Sequence, residues 1–319
     1  MKKLAFLLPS LLALAACGPA ASPPVATAST PDAALDQPAE TVPPQSAAQA
    51  DASRIDAALA GSWRDAASRA RDQYRHPKET LAFFGVQPGS TVIEITPGGG
   101  WYTEVLAPML KGSGTFIAAI AADSSSEYAQ KNNEKYRAKL QQHAADFGDV
   151  KLVEFDPRAP VFGEPGSADF VLTFRNVHNW AGAGTAPAMF KAFFDVLKPG
   201  GVLGVVDHRA AAGAPTDKPG ESGYLPTDFV VKLATDAGFT LEAQSEINAN
   251  PKDTKDYAKG VWTLPPSLTL GDTDREKYLA IGESDRMTLK FVKPAADRIF
   301  HQDVDAPAEP ATTGTPTEG

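Results

Sequence analysis

Between residues 77 and 294, short runs of Val, Ile, Leu and Phe alternate with longer amphipathic stretches, and few folds accommodate that pattern. "STVIEI", "GTFIAAI", "VKLVEF", "ADFVLTF" and "VLGVVDH" read as strands. "GWYTEVLAPMLK", "SEYAQKNNEKYRAKLQQHAADFG" and "TAPAMFKAFFDVLKPGG" read as helices. The last of these carries Met189, Phe190, Phe193, Phe194 and Leu197 and is stopped by Pro-Gly-Gly. Strands this uniformly apolar need cover on both faces, so the pattern predicts an α/β domain, a doubly wound and mostly parallel sheet. "TDFVVKLATDAGF" adds a late helix, and "TLEAQSEI" and "MTLKFVK" add two closing strands. In such a sheet the ligand lies beyond the C-terminal strand ends, near the first strand.

The flanks read differently. "MKKLAFLLPSLLALAAC" joins two lysines to a Leu- and Ala-rich run too short to span a bilayer, followed by small residues, as in a secretory signal. Its Leu14-Ala15-Ala16-Cys17 ending resembles a bacterial lipoprotein signal, which makes residues 1–16 a leader and Cys17 the acylated first residue. An ordinary cleaved signal is the alternative. Cys17 is the only cysteine, so no internal disulfide forms. Gly18 stands where inner-membrane retention favours Asp, so the expected location is the cell envelope, at the outer membrane facing the periplasm. Residues 17–52 are Pro-, Ala-, Ser- and Thr-rich without Lys or Arg and read as a disordered tether; residues 303–319 read as a disordered tail. The folded part is then 53–302, opening with a helical extension in which Ile55, Leu59 and Trp63 recur at intervals of four. Pro77 starts a new helix that Gly85 closes. The formal net charge of −9 becomes −11 once Lys2 and Lys3 leave with the leader, which argues against a nucleic-acid partner.

"VIEITPGGGWYTEV" (92–105) runs from a strand into bare glycine backbone and then a helix, the arrangement in which α/β proteins hold nucleotide-like ligands. It lacks the Gly-Lys-Ser/Thr ending of a phosphate loop. After the fourth strand, Arg175, Asn176, His178, Asn179 and Trp180 crowd a loop whose turn needs none of them. Asp207-His208-Arg209 ends the fifth strand on the same side of the sheet. Two histidines at adjacent strand ends can supply a general base or, with Asp207, hold a metal; no close His-x-His spacing supports the metal. Arg71, Arg75 and His76 are either a lid or helix surface.

Together, "VIEITPGGG", "VEFDPRAP", "ADFVLTFRNVHNW" and "LKPGGVLGVVDHR" resemble the class I S-adenosylmethionine-dependent methyltransferases. Within them, "YRHPKETLAFFGVQPG" leading into "VIEITPGGGWYTEVLAP" resembles a set of exported bacterial predicted methyltransferases. The resemblance covers about residues 70–294. It implies a Rossmann-like seven-stranded sheet with the last strand antiparallel, S-adenosyl-L-methionine as cofactor, and a small or medium acceptor. It assigns Glu94 to the cofactor's amino group and Gly98, Gly99 and Gly100 to close backbone contact, with Thr96 replacing the first glycine. Ala121 stands where the ribose-binding acid belongs, leaving Asp123 either to reach the ribose or to cap the next helix. Asp156 contacts the adenine or forms a turn. Arg175 and Asn176 form the cofactor floor, and His178 or His208 is the base; no metal is assigned. Because export separates the chain from cytoplasmic S-adenosylmethionine, a second reading is a non-methylating ligand-binding lipoprotein, or a repurposed enzyme, that reuses the nucleoside crevice.

Overall fold

The computed structural model describes residues 47–215 and 220–295. The leader, Cys17, the tether as far as residue 46 and the 303–319 tail lie outside the described residues. Helix α1 (Ala47–Ala60) begins within the stretch read as tether. Alanine is the strongest helix former, so the composition that suggests a linker also serves a helix end. Three short helices follow, α2 (Ala66–Arg69), α3 (Asp72–Arg75) and α4 (Pro77–Phe84). His76 joins the last two in the left-handed region at φ 39°, and Gly85 closes α4 at φ 84°.

The alternating core runs β1 (Thr91–Ile95), α5 (Thr103–Leu110), β2 (Thr115–Ala121), α6 (Glu127–Gln142), α7 (Ala144–Phe147), β3 (Lys151–Phe155) and β4 (Ala168–Phe174). It continues through α8 (Val177–Gly182), α9 (Ala186–Val196), β5 (Leu197–His208), α10 (Thr227–Asp236), β6 (Thr240–Ser245), α11 (Arg275–Ile281) and β7 (Arg286–Val292). The seven strands lie in the order β3-β2-β1-β4-β5-β7-β6, with β7 antiparallel to both its neighbours. The order in which strands are added reverses between the parallel neighbours β1 and β4, which creates the switch point where open α/β sheets bind ligands.

Alternation along β1 divides the interior. Ile93 and Ile95 face a core with Phe190 and Phe193 of α9 and Val230 of α10. Val92 faces the other core, with Ile55 of α1, Phe84 of α4, Leu106 of α5 and Tyr136 of α6. Glu94 shares the face of Val92 because side chains two apart point the same way. The segment "RNVHNW", read as a loop, is the entry to α8, with Asn176 at its N-cap.

A buried ion cluster fastens the N-terminal helices to the sheet. Glu283, 2% exposed, accepts from Arg71 Nε at 2.5 Å and Arg75 Nε at 3.2 Å and is also paired with Arg286 at the start of β7. Burial pushes the Glu283 carboxyl up, but the surrounding arginines outweigh it and hold the group well below the usual carboxylate range. Removing a carboxylate that three buried or half-buried guanidinium groups share leaves them uncompensated. We expect Glu283→Gln to lose about 3–5 kcal/mol of stability in urea unfolding at pH 7. Because the folded-state pKa is depressed, the contribution is complete above the unfolded value of 4.5 and disappears as pH falls below it. The variant should therefore lose much of the wild type's acid sensitivity.

Candidate functional site

A crevice of about 760 Å³ opens at the C-terminal ends of β1, β4 and β5. The β1–α5 turn lines one part of it with Thr96, Gly98 and Gly99; Asn132 and Lys139 of α6 face the same part. The other part is walled by Arg71, Arg75, Arg175, His178, His208 and Trp262. A Cβ on Gly98 or Gly99 would meet nothing within 4 Å, so this backbone is open to a ligand. On Gly100 it would come within 2.9 Å of the Tyr136 ring, so that glycine is needed for α6 to pack.

Thr96 adopts φ 53°, a left-handed conformation that strains a β-branched residue and that a glycine would take freely. Its neighbours hold it there. Thr96 N donates to the Ala119 carbonyl at 2.8 Å, and Asn176 Nδ2 donates to the Ile95 carbonyl at 3.0 Å and to Thr173 Oγ1 at 3.1 Å. Asn176 thus ties the end of β4 to the end of β1. Arg175, beside it, is also left-handed at φ 64°, with its amide donating to the Val206 carbonyl at 2.7 Å.

The three acids assigned to the cofactor do not line the crevice. Glu94 lies under α5 and α6, where Thr103 Oγ1 donates to its Oε2 at 2.9 Å and also bonds the Tyr136 hydroxyl. Strand alternation put it there. Burial raises its carboxyl to about 7, only partly opposed by the Thr103 hydrogen bond and by Lys139 and Arg75. Asp123 is held by Asn133 Nδ2 at 2.7 Å and Arg137 Nη1 at 3.0 Å, at the start of a short 3-10 turn. Asp156 accepts from the Arg158 amide at 2.9 Å, the geometry of a local Asx turn. Gly98, Gly99, Thr96, Arg175, Asn176, His178 and His208 all line the crevice.

Asp207 is fully buried and organises the histidines. Its Oδ1 lies 2.9 Å from His178 Nδ1 and accepts from the His208 amide at 2.7 Å; its Oδ2 accepts from the His178 amide at 3.1 Å. A carboxylate on Nδ1 fixes the proton there and leaves Nε2 free to accept one. The His208 ring lies 5.1 Å from that of His178, with its Nδ1 2.5 Å from Ser284 Oγ. Burial, then His178 and the arginines Arg286, Arg175 and Arg75, push His208 well below the usual imidazole range, so it is neutral at neutral pH. His178, Asp207 and His208 do present ligand atoms within 4.8 Å of one another, but both Asp207 oxygens already accept hydrogen bonds.

Sequence reasoning missed Asn132 and Lys139 in the wall. Asn132, Tyr136 and Lys139 recur at helical spacing, but the helix is polar enough to hide which face points inward. Trp262 stands in a short 3-10 turn, Gly260–Thr263, at the end of the stretch "NANPKDTKDYAKGVW".

No family model matches the chain, and no curated protein matches it. Solved structures do. The [4+2]-cyclase SpnF aligns over 78% of this chain and 96% of its own at 13% identity, with a TM-score of 0.52. A SAM-dependent methyltransferase from Aquifex aeolicus aligns over 76% and 98% at 16% identity, with a TM-score of 0.48. A SAM-dependent methyltransferase from Methanosarcina mazei aligns over 67% and 97% at 14% identity, with a TM-score of 0.47. At such identities the likeness establishes the fold alone. The fold shared with the first of these is a Rossmann-like, seven-stranded, mostly parallel α/β sheet.

The raised carboxyl of Glu94 has a thermodynamic signature. Between 4.5 and about 7 the folded chain keeps a proton that the unfolded chain has released, so stability should fall as pH rises through that window and level off above it. Urea midpoints measured from pH 4.5 to 8 should show this decline in the wild type, and Glu94→Gln should flatten it.

Proposed function

We propose that the chain is an S-adenosylmethionine-dependent methyltransferase acting on a small acceptor. The observation that carries this reading is the single crevice that joins an open glycine turn after β1 to a buried Asp207–His178 pair. A nucleoside-bearing amino acid fits the bare backbone of Gly98 and Gly99, and Asn132 offers a donor and an acceptor where the sugar would lie. The fit is incomplete at the ribose, since no carboxylate lines that part of the wall.

When bound, the cofactor supplies a methyl group on a sulfonium, which becomes a neutral thioether as the methyl leaves. The chain's own residues do the rest. The crevice walls align acceptor and donor, the main task in an in-line displacement. His178 Nε2 takes the proton of an acceptor O–H or N–H while Asp207 accepts from Nδ1–H and stabilises the resulting imidazolium. His208, kept neutral, is a weaker base and serves as a wall and hydrogen-bonding group.

Isothermal titration of the full chain with S-adenosylhomocysteine tests the reading, and absence of binding at millimolar ligand would sink it. Once an acceptor is in hand, His178→Ala should lower kcat about 10²–10⁴-fold with S-adenosylhomocysteine affinity unchanged. Asp207→Asn should also lower kcat, through the wrong tautomer.

The second reading, a non-methylating binder that reuses the crevice, draws on the absence of Glu94, Asp123 and Asp156 from its wall. Mass spectrometry of ligand released from natively purified chain separates the two, since a ligand that is not an S-adenosyl compound favours the binder. We further propose that the chain is exported and anchored by acylation of Cys17. Labelled palmitate should enter the wild type and not Cys17→Ser. Among the described residues no helix is long and apolar enough to cross a membrane.

A further inference from the structure

The chain carries a formal charge of −9, yet no Asp or Glu is among the residues lining the crevice, whereas Arg71, Arg75, Arg175 and Lys139 are. Lys139 is compensated by Glu104, 2.5 Å away, and also donates to the Gly99 carbonyl. The arginines are only partly compensated. Arg71, Arg75 and Arg286 share Glu283, and Arg175 forms no ion pair among the described residues. The other carboxylate near Arg175 is Asp207, already engaged by His178. Four guanidinium groups against two carboxylates leave the equivalent of two positive charges unbalanced at the histidine end.

Two independent observations locate the excess. Arg75, only 3% exposed, has a buried Nη2 with no hydrogen-bond partner, and Arg71 has another. Buried donors left without acceptors are costly unless a ligand meets them. Burial and the neighbouring arginines also lower Arg175 to about 10 and Arg75 well below the ordinary guanidinium value, with Glu283 only partly opposing them, as expected of like charges held together with too few counter-ions.

We propose that the methyl acceptor is an oxyanion, its carboxylate or phosphate group held by Arg75 and Arg175 with Arg71 at the edge, beside His178. This rests on the transferase reading. S-adenosylmethionine does not neutralise the arginines by itself, because its ammonium and sulfonium outweigh its one carboxylate and it enters with a net positive charge. The balancing charge must then come from the acceptor. Guanidinium forks match the paired oxygens of carboxylate and phosphate, and in a partly desolvated wall such pairs are strong. The same positive field disfavours a divalent cation at the histidines.

The test is isothermal titration of the full chain, in a chloride buffer free of other oxyanions, with inorganic phosphate and with malonate. Each probe is run with and without saturating S-adenosylhomocysteine. We expect at least one probe to bind the S-adenosylhomocysteine-loaded chain, and the preferred probe to distinguish a phosphate from a carboxylate acceptor. Arg175→Gln should weaken that binding about tenfold or more. Lys198→Gln, at the opposite end of β5, should leave it unchanged. Arg71→Gln, at a partly exposed position, should weaken it too and serves if Arg175→Gln does not fold. The proposal is overturned if neither probe binds the loaded chain. It is also overturned if S-adenosylhomocysteine expels the bound probe, for the arginines would then hold the cofactor's own carboxylate. Phosphate or malonate binding without any S-adenosylhomocysteine binding would uphold the oxyanion site and overturn the transferase reading instead.

Discussion

One carboxylate, Glu283, holds the crevice together. It joins Arg71 and Arg75 of the N-terminal helical segment to Arg286 at the start of β7, with more than two hundred residues of chain between the partners. Without it those helices keep only neutral-acceptor contacts to the far side of the sheet, Arg286 Nη1 donating to the Tyr74 carbonyl at 3.1 Å and Asn248 Nδ2 to Thr80 Oγ1 at 3.0 Å, and the wall that Arg71 and Arg75 form loses its charged anchor. The apolar contacts of α1 and α4 with the sheet supply area, but area is not directional. The ion cluster supplies the register. Trp101 completes the attachment on the other side, with Arg75 4.5 Å from its ring centre, Arg64 5.1 Å away, and its indole N–H donating to the Ser68 carbonyl at 3.0 Å.

That attachment gives the crevice its electrostatic character. An acidic chain keeps its carboxylates out of the wall and its arginines in it. The acids nearby are consumed in holding other groups: Glu283 the arginines, Glu104 Lys139, Asp207 the histidines and Asp123 Arg137. Each such pairing leaves the wall itself without negative charge. Asp207 also orients His178, its two oxygens meeting that residue through both ring and backbone.

Much of this was legible in the sequence. Periodicity marked all seven strands and the main helices: the central strands through unbroken apolar runs buried on both faces, and the edge strands β3 and β6 through their few apolar residues between turn signals. The glycine turn and the clusters at the ends of β4 and β5 fell where an α/β sheet binds ligands, and His178, His208, Arg175 and Asn176 do line the crevice. Less legible were the roles of the acids. Glu94, Asp123 and Asp156 each stand one or two residues from the crevice, and a shift of one residue along a strand reverses the face a side chain occupies. The helix α8 was hidden because "RNVHNW" has too few residues to show a period. The start of α1 was hidden because alanine serves linkers and helices alike.

The sequence by itself determined the sheet, its mostly parallel sense and the end at which the crevice opens, because these follow from local periodicity and from the need to bury apolar strands. Only the tertiary structure decided what the crevice is made of. Arg71 and Arg75 reach its wall from the N-terminal helices, Asn132 and Lys139 from α6 and Trp262 from a short 3-10 turn, while the expected acids turn away. The physical reason is that charge compensation is a property of distances in space. Glu283 balances Arg71 across 212 residues of chain, and no local pattern records that pairing.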